Sequence, residues 1–133
     1  MSKPTSRDLA RLKRLARYLL GRERCVQHFP IQDLPTKVVA WADSDWAGCV
    51  ETRKSTSAGV LQIGAHTIKT WSTTQGVVAL SSGEAEFYSL VKAGSQGIGL
   101  KSLTQEMGLG GRLKSVEGRT DATAAKAIAS RRG

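Results

Sequence analysis

Hydrophobic positions near the start of the chain recur with a helical period. From Thr5 to Leu20, the residues Leu9, Leu12, Leu15, Ala16, Leu19 and Leu20 share one arc, while Arg7, Arg11, Lys13, Arg14 and Arg17 fill the other. The spacing predicts an amphipathic basic helix, with Gly21 at its C-terminal cap. Residues 22–36, which contain Pro30 and Pro35, follow neither period and read as a linker. Lys37 to Asp43 is then short, β-prone and apolar on both faces, the pattern of a central strand. Two further strands are predicted over Ala58–Ile63 and Thr67–Ser72, separated by the turn signal Gly64-Ala65-His66, and the three together suggest an antiparallel meander.

Ser81-Ser82-Gly83-Glu84 opens a long helix reaching Met107, in which Phe87, Leu90, Val91, Gly94, Ile98 and Lys101 recur at helical spacing. Its interior Gly94, Gly97 and Gly99 each cost on the order of 1 kcal/mol relative to Ala, so they either permit close packing on the sheet or weaken the helix. The run Gly108 to Gly111 ends that helix, Leu113–Thr120 reads as a fourth strand, and Ala122–Ser130 is again helical. The order helix, three strands, helix, strand, helix predicts an α/β domain over 37–133, preceded by a basic connecting helix and linker over 1–36.

Composition adds two things. With 40% hydrophobic but only 5% aromatic residues, the core must rest on Val, Leu, Ile and Ala, with Trp41, Trp46 and Trp71 as bulky anchors. The net charge of +9 is unevenly spread: residues 1–24 carry +6 and 112–133 carry +4, leaving −1 between them. Basic ends around a middle that holds most of the carboxylates suit a protein that grips a polyanion and concentrates acid groups for metal. Cys25 and Cys49 are too few and too far apart for a disulfide framework or a zinc site. The first 24 residues are studded with Arg, unlike a signal peptide, and no segment approaches the roughly 20 apolar residues of a membrane span. An intracellular protein, cytoplasmic or nuclear, with no membrane partner is expected.

Three carboxylates lie at element ends: Asp43 after the first strand, Glu84 at the start of the long helix, and Asp121 after the fourth strand. If the first and fourth strands are parallel neighbours joined through the helix, these ends converge into a cluster that cations such as Mg²⁺ would stabilise. Each residue also has a plainer role available. Asp43-Ser44-Asp45 could form an Asx turn, Ser81 and Glu84 match a capping box, and Asp121 could cap the last helix. His28 and His66 are isolated, which favours packing or surface roles. Ser81 and Ser82 lack a nucleophile elbow and no phosphate-binding glycine loop is present, which sets aside serine hydrolase and P-loop chemistry.

These segments together resemble the ribonuclease H domain of copia-type retrotransposon polyproteins. The likeness is carried by Ala42-Asp43-Ser44-Asp45-Trp46-Ala47-Gly48, by Thr52 to Gly59, by Trp71-Ser72-Thr73-Thr74-Gln75, by Val78 to Tyr88 and by Thr120 to Ala125. Leu12 to Leu19 resembles the helix that joins such domains to the preceding reverse transcriptase. The resemblance implies a ribonuclease H-like mixed sheet of three antiparallel strands plus a parallel fourth. It also implies hydrolysis of RNA in RNA/DNA hybrids with two Mg²⁺ or Mn²⁺ ions held by Asp43, Glu84 and Asp121. Asp45 and Glu86, two residues from their neighbours, are the alternative ligands. Implied partners are the RNA/DNA hybrid, contacted by Arg7, Arg11, Arg14 and Arg17, and the adjacent reverse transcriptase domain. The family continues into a His-containing segment, a strand and a helix with a fourth ligand region, which the 133 residues do not contain. Weak activity is therefore expected, the alternative being a non-catalytic nucleic-acid-binding or structural remnant of the same fold.

Overall fold

A computed structural model describes residues 4–109 and 111–131. Helix α1 (Ser6–Leu20) is followed by strands β1 (Lys37–Ser44), β2 (Thr56–Ile63) and β3 (His66–Thr74). Helix α2 (Ser82–Thr104) comes next and runs into a π-helical turn at Gln105–Leu109; strand β4 (Ser115–Arg119) and helix α3 (Thr123–Ser130) complete the order. The strands form one mixed sheet in the order β3-β2-β1-β4. β1 and β2, and β2 and β3, are antiparallel, whereas β1 and β4 run parallel. This is the α/β, ribonuclease H-like arrangement expected from the sequence.

The core lies between the sheet and α2. Side chains alternate across a strand, so Val38, Ala40 and Ala42 point together toward α2, where they meet Leu61, Ala93 and Leu113, flanked by Ile63, Trp71, Leu90, Leu100 and Val116. The packed stripe of α2 is Ala85, Ser89, Ala93 and Gly97, at intervals of four residues. The larger residues Val91 and Ile98, expected on the inner face, are more than half exposed. Small side chains bring the helix axis close to the sheet and leave the bulky ones to the flanks. Of the three tryptophans only Trp71 packs on the core; Trp41 is 41% and Trp46 55% exposed.

Helix α1 is set by a capping box, in which Thr5 Oγ1 accepts from the Asp8 N–H and the Asp8 carboxylate accepts from the Thr5 N–H. It buries no residue, and among the described residues it packs on no other element, so Leu9, Leu12, Leu15 and Leu19 are each more than half exposed. The linker after it is not loose. Gln32 donates from Nε2 to Ile63 O (2.9 Å) and accepts from Ala65 N (2.7 Å), an approach that any side chain at Gly64, with φ of 59°, would obstruct. His66 Nε2 donates to Pro30 O (2.8 Å) with its ring edge-on to Phe29, and Gln27 Nε2 donates to Thr67 O (2.6 Å). No helix among the described residues is long and apolar enough to cross a membrane.

The glycines of α2 divide by what a Cβ would meet. At Gly97 it would lie 2.6 Å from Val116 Cγ1, whereas at Gly94 and Gly99 nothing lies within 4 Å. Gly97→Ala is expected to destabilise by about 1–3 kcal/mol through overpacking. Gly94→Ala and Gly99→Ala should each stabilise by about 0.5–1 kcal/mol. Denaturant unfolding of the three variants checks both signs.

Candidate metal centre

The parallel register pairs Trp41 with Arg119, so two residues further along each segment Asp43 and Asp121 stand level at the same end of the sheet. The third carboxylate comes from the start of α2. It belongs to Glu86: carboxylate oxygens of Asp43, Glu86 and Asp121 all lie within 4.8 Å of one another. Asp43 and Asp121 are exposed and Glu86 is half-buried.

Glu84 is not in this group. Its carboxylate accepts from Leu80 N (2.8 Å) and from Tyr88 Oη (3.1 Å), while Ser81 Oγ accepts from Glu84 N (3.2 Å). Glu84 therefore closes the N-terminus of α2, the plainer of its two roles. Asp45, the other alternative, is also engaged locally: its Oδ1 accepts from Thr56 N (2.5 Å), and Gly48 leaves room for that carboxylate. Asp121 does not cap α3, whose N-cap is Ala122; Thr120 Oγ1 accepts the Ala122 N–H instead (3.2 Å).

Three anionic groups this close repel each other. Among the described residues none of the three has a cationic partner, since the ion pairs are Arg11 with Asp8 and both Lys37 and Arg119 with Glu117. Glu86 Oε1 accepts from Ser44 N (3.2 Å), but Oε2 is buried without a hydrogen-bond partner. Burial raises the Glu86 pKa above its ordinary value; the Ser44 N–H opposes the rise, and the Asp43 and Asp121 charges add to it. An all-carboxylate donor set with one oxygen left unsatisfied fits a hard divalent cation such as Mg²⁺ or Mn²⁺ and lacks the His and Cys donors common at zinc sites.

Asp43 and Asp121 also border a shallow cavity of about 470 Å³ lined by Trp41, Val60 and Thr70. Trp41 and Asp43 alternate with Ala40 and Ala42, which places this groove on the sheet face away from α2. Arg119 lies over the Trp41 ring, 4.9 Å from its centroid. The four arginines predicted to contact phosphate, Arg7, Arg11, Arg14 and Arg17, are all exposed on α1.

Proteins similar in sequence include one from a transposon. A secreted RxLR effector protein 161 of Plasmopara viticola is 35% identical over 94 residues, covering 71% of this chain and 66% of that protein. An uncharacterized mitochondrial protein of Arabidopsis thaliana is 36% identical over 92 residues, 68% of this chain and 37% of the relative. The retrovirus-related Pol polyprotein from transposon TNT 1-94 of Nicotiana tabacum is 36% identical over 69 residues, 52% of this chain and 5% of the polyprotein. The chain is related to a retrotransposon polyprotein. It spans less than two thirds of each of these relatives. No family model and no solved structure matches it.

The perturbed Glu86 gives a pH test. Its folded-state pKa lies above the unfolded value near 4.5, so its contribution to stability is fully present below that value and is lost as pH rises through the folded pKa. Without divalent cations, Glu86→Gln should remove this part of the decline and gain on wild type as pH climbs above about 4.5. Urea unfolding at a series of pH values in chelator measures the difference; parallel curves for the two proteins would contradict it.

Proposed function

We propose that this chain is a ribonuclease H-type domain of a retrotransposon polyprotein, in which Asp43, Glu86 and Asp121 hold divalent cations for hydrolysis of the RNA strand of RNA/DNA hybrids. The observation that supports this reading most directly is the convergence of three carboxylates, free of cationic partners among the described residues, at one end of a ribonuclease H-like sheet. Bound Mg²⁺ or Mn²⁺ would supply water activation and charge neutralisation at the phosphate being displaced. The chain's own part is to keep the three carboxylates within reach of common ions, half-shielding Glu86 while leaving Asp43 and Asp121 open to the phosphate backbone. In this reading Glu84 keeps its capping role and is not a ligand.

The exposed arginines of α1 would add sequence-independent affinity for the hybrid. Its leucine face would pack against the neighbouring reverse transcriptase domain. A second reading, hybrid binding without turnover, is favoured by that same basic surface, which needs no metal.

Cleavage of a hybrid with labelled RNA in Mg²⁺ and in Mn²⁺ separates the two. Asp43→Asn and Glu86→Gln should each lower the rate by about 10²–10³-fold, as expected when one charge-stabilising group is lost. Glu84→Gln should stay close to wild type. Equal loss in Glu84→Gln and none in Glu86→Gln would move the site to the first turn of α2, and absence of cleavage in wild type would leave the binding reading. Neutralising Arg7, Arg11, Arg14 and Arg17 should flatten the slope of log affinity against log salt by about 0.9 for each phosphate no longer neutralised. A filter-binding salt series reads that slope directly.

A further inference from the structure

We infer that Gln75 is the positioning residue of the carboxylate group, fixing the separation of Asp43 and Glu86 through the hydrogen bonds of a single side-chain amide; this rests on the cation-binding reading above. Gln75 lies immediately after β3, is only 8% exposed, and is pinned by its own backbone, whose N–H donates to Ser55 O (2.7 Å). Its Nε2 faces three acceptors on three elements: Ser57 Oγ of β2 (2.9 Å), Ala85 O of α2 (2.9 Å) and Ser44 Oγ of β1 (3.2 Å). The Ala85 carbonyl fixes which end of the amide points inward, because exchanging N and O would set two acceptors against each other. With two hydrogens and three acceptors, the amide shares one hydrogen, and the longer Ser44 contact is the weaker arm.

Two of the three acceptors belong to neighbours of the carboxylate residues. Ser44 follows Asp43, and its N–H is the donor to Glu86 Oε1 (3.2 Å); Ala85 precedes Glu86. Gln75, Ser44, Glu86 and Ala85 therefore form a closed ring, part hydrogen-bonded and part covalent, that ties the end of β1 to the first turn of α2. The ring acts where like charges push apart, and a carboxylate cluster without a bound cation needs such a tether to stay assembled. Ser89 also joins these elements, through Oγ to Asp43 O (2.6 Å) and Ala58 O (3.2 Å). It is fully buried and grips the peptide, so it secures the core and does not reach either carboxylate.

The test is a Mn²⁺ titration of the whole chain by calorimetry, with thermal unfolding measured in parallel. Gln75→Met keeps the volume and removes the amide, and should weaken Mn²⁺ binding by about 10-fold or more, the usual effect of losing a residue that orients a metal ligand. Ser57→Ala removes only the β2 acceptor and should lower the unfolding midpoint while leaving Mn²⁺ affinity within about twofold, a split that general loosening of the fold would not produce. Asp43→Asn separates the two claims. If it binds Mn²⁺ like wild type, the cation-binding reading fails. If it does not bind while Gln75→Met binds as tightly as wild type, the positioning role is overturned. Should Gln75→Met not unfold cooperatively, Ser44→Ala decides in its place: weakened Mn²⁺ binding is expected, and unchanged binding overturns the inference.

Discussion

Parallel pairing of β1 with β4 puts two distant segments of chain in step, so that an aspartate leaving each strand arrives at the same height. An antiparallel fourth strand would send its carboxyl end to the far side of the sheet, and Asp121 would never meet Asp43. Parallel pairing in turn demands a long connection between the strands, and α2 lies within that stretch of chain. The same connection supplies Glu86, so the third carboxylate is a consequence of the topology that aligns the first two.

How closely α2 approaches the sheet is set by its inner stripe of Ala, Ser and Gly. A helix resting on leucines would sit further away and carry Glu86 with it. The small residues also explain why polar groups reach across this interface: Ser89 and Gln75 bond from helix to strand inside a buried layer where a larger side chain would have filled the gap. Polar contacts in such a layer are satisfied or costly, and Glu86 Oε2, Gln75 Oε1 and Trp71 Nε1 are each buried without a hydrogen-bond partner.

Much of this arrangement is legible in the sequence, and the parts that are not share a cause. The apolar run in Lys37–Asp43, the turn at Gly64-Ala65 and the helical periods of α1 and α2 are local patterns, and each element lies within a few residues of where those patterns put it. Choosing Glu86 over Glu84 is not local. Two residues turn a helix by about 200°, so only one of the pair can face the sheet, and which one depends on how the helix is rotated against it. The serine at the start of the motif marks Glu84 as a cap, a signal that could have released Glu86 for the cluster. The inner face of α2 differs from expectation for a related reason: hydrophobicity points to Val91 and Ile98, while packing distance selects Ala93 and Gly97. The motif Trp71 to Gln75 gives no signal of what Gln75 bonds to, because a single amide after a threonine-rich strand has no periodicity and its partners come from three separate elements.

The attachment of the linker to the β2–β3 turn determines how far α1 can roam. Gln27, Pro30 and Gln32 are bonded to the hairpin, and the Gly21 and Arg22 N–H groups are bonded back to α1, so the untethered span is only residues 23–26. A flexible chain of that length has a root-mean-square reach of roughly 11 Å. Any polyanion grasped by the arginines of α1 would therefore stay at an effective concentration of about millimolar near the sheet. A weak grip by the helix would then be converted into long residence beside the carboxylates, with no contact of its own at the site.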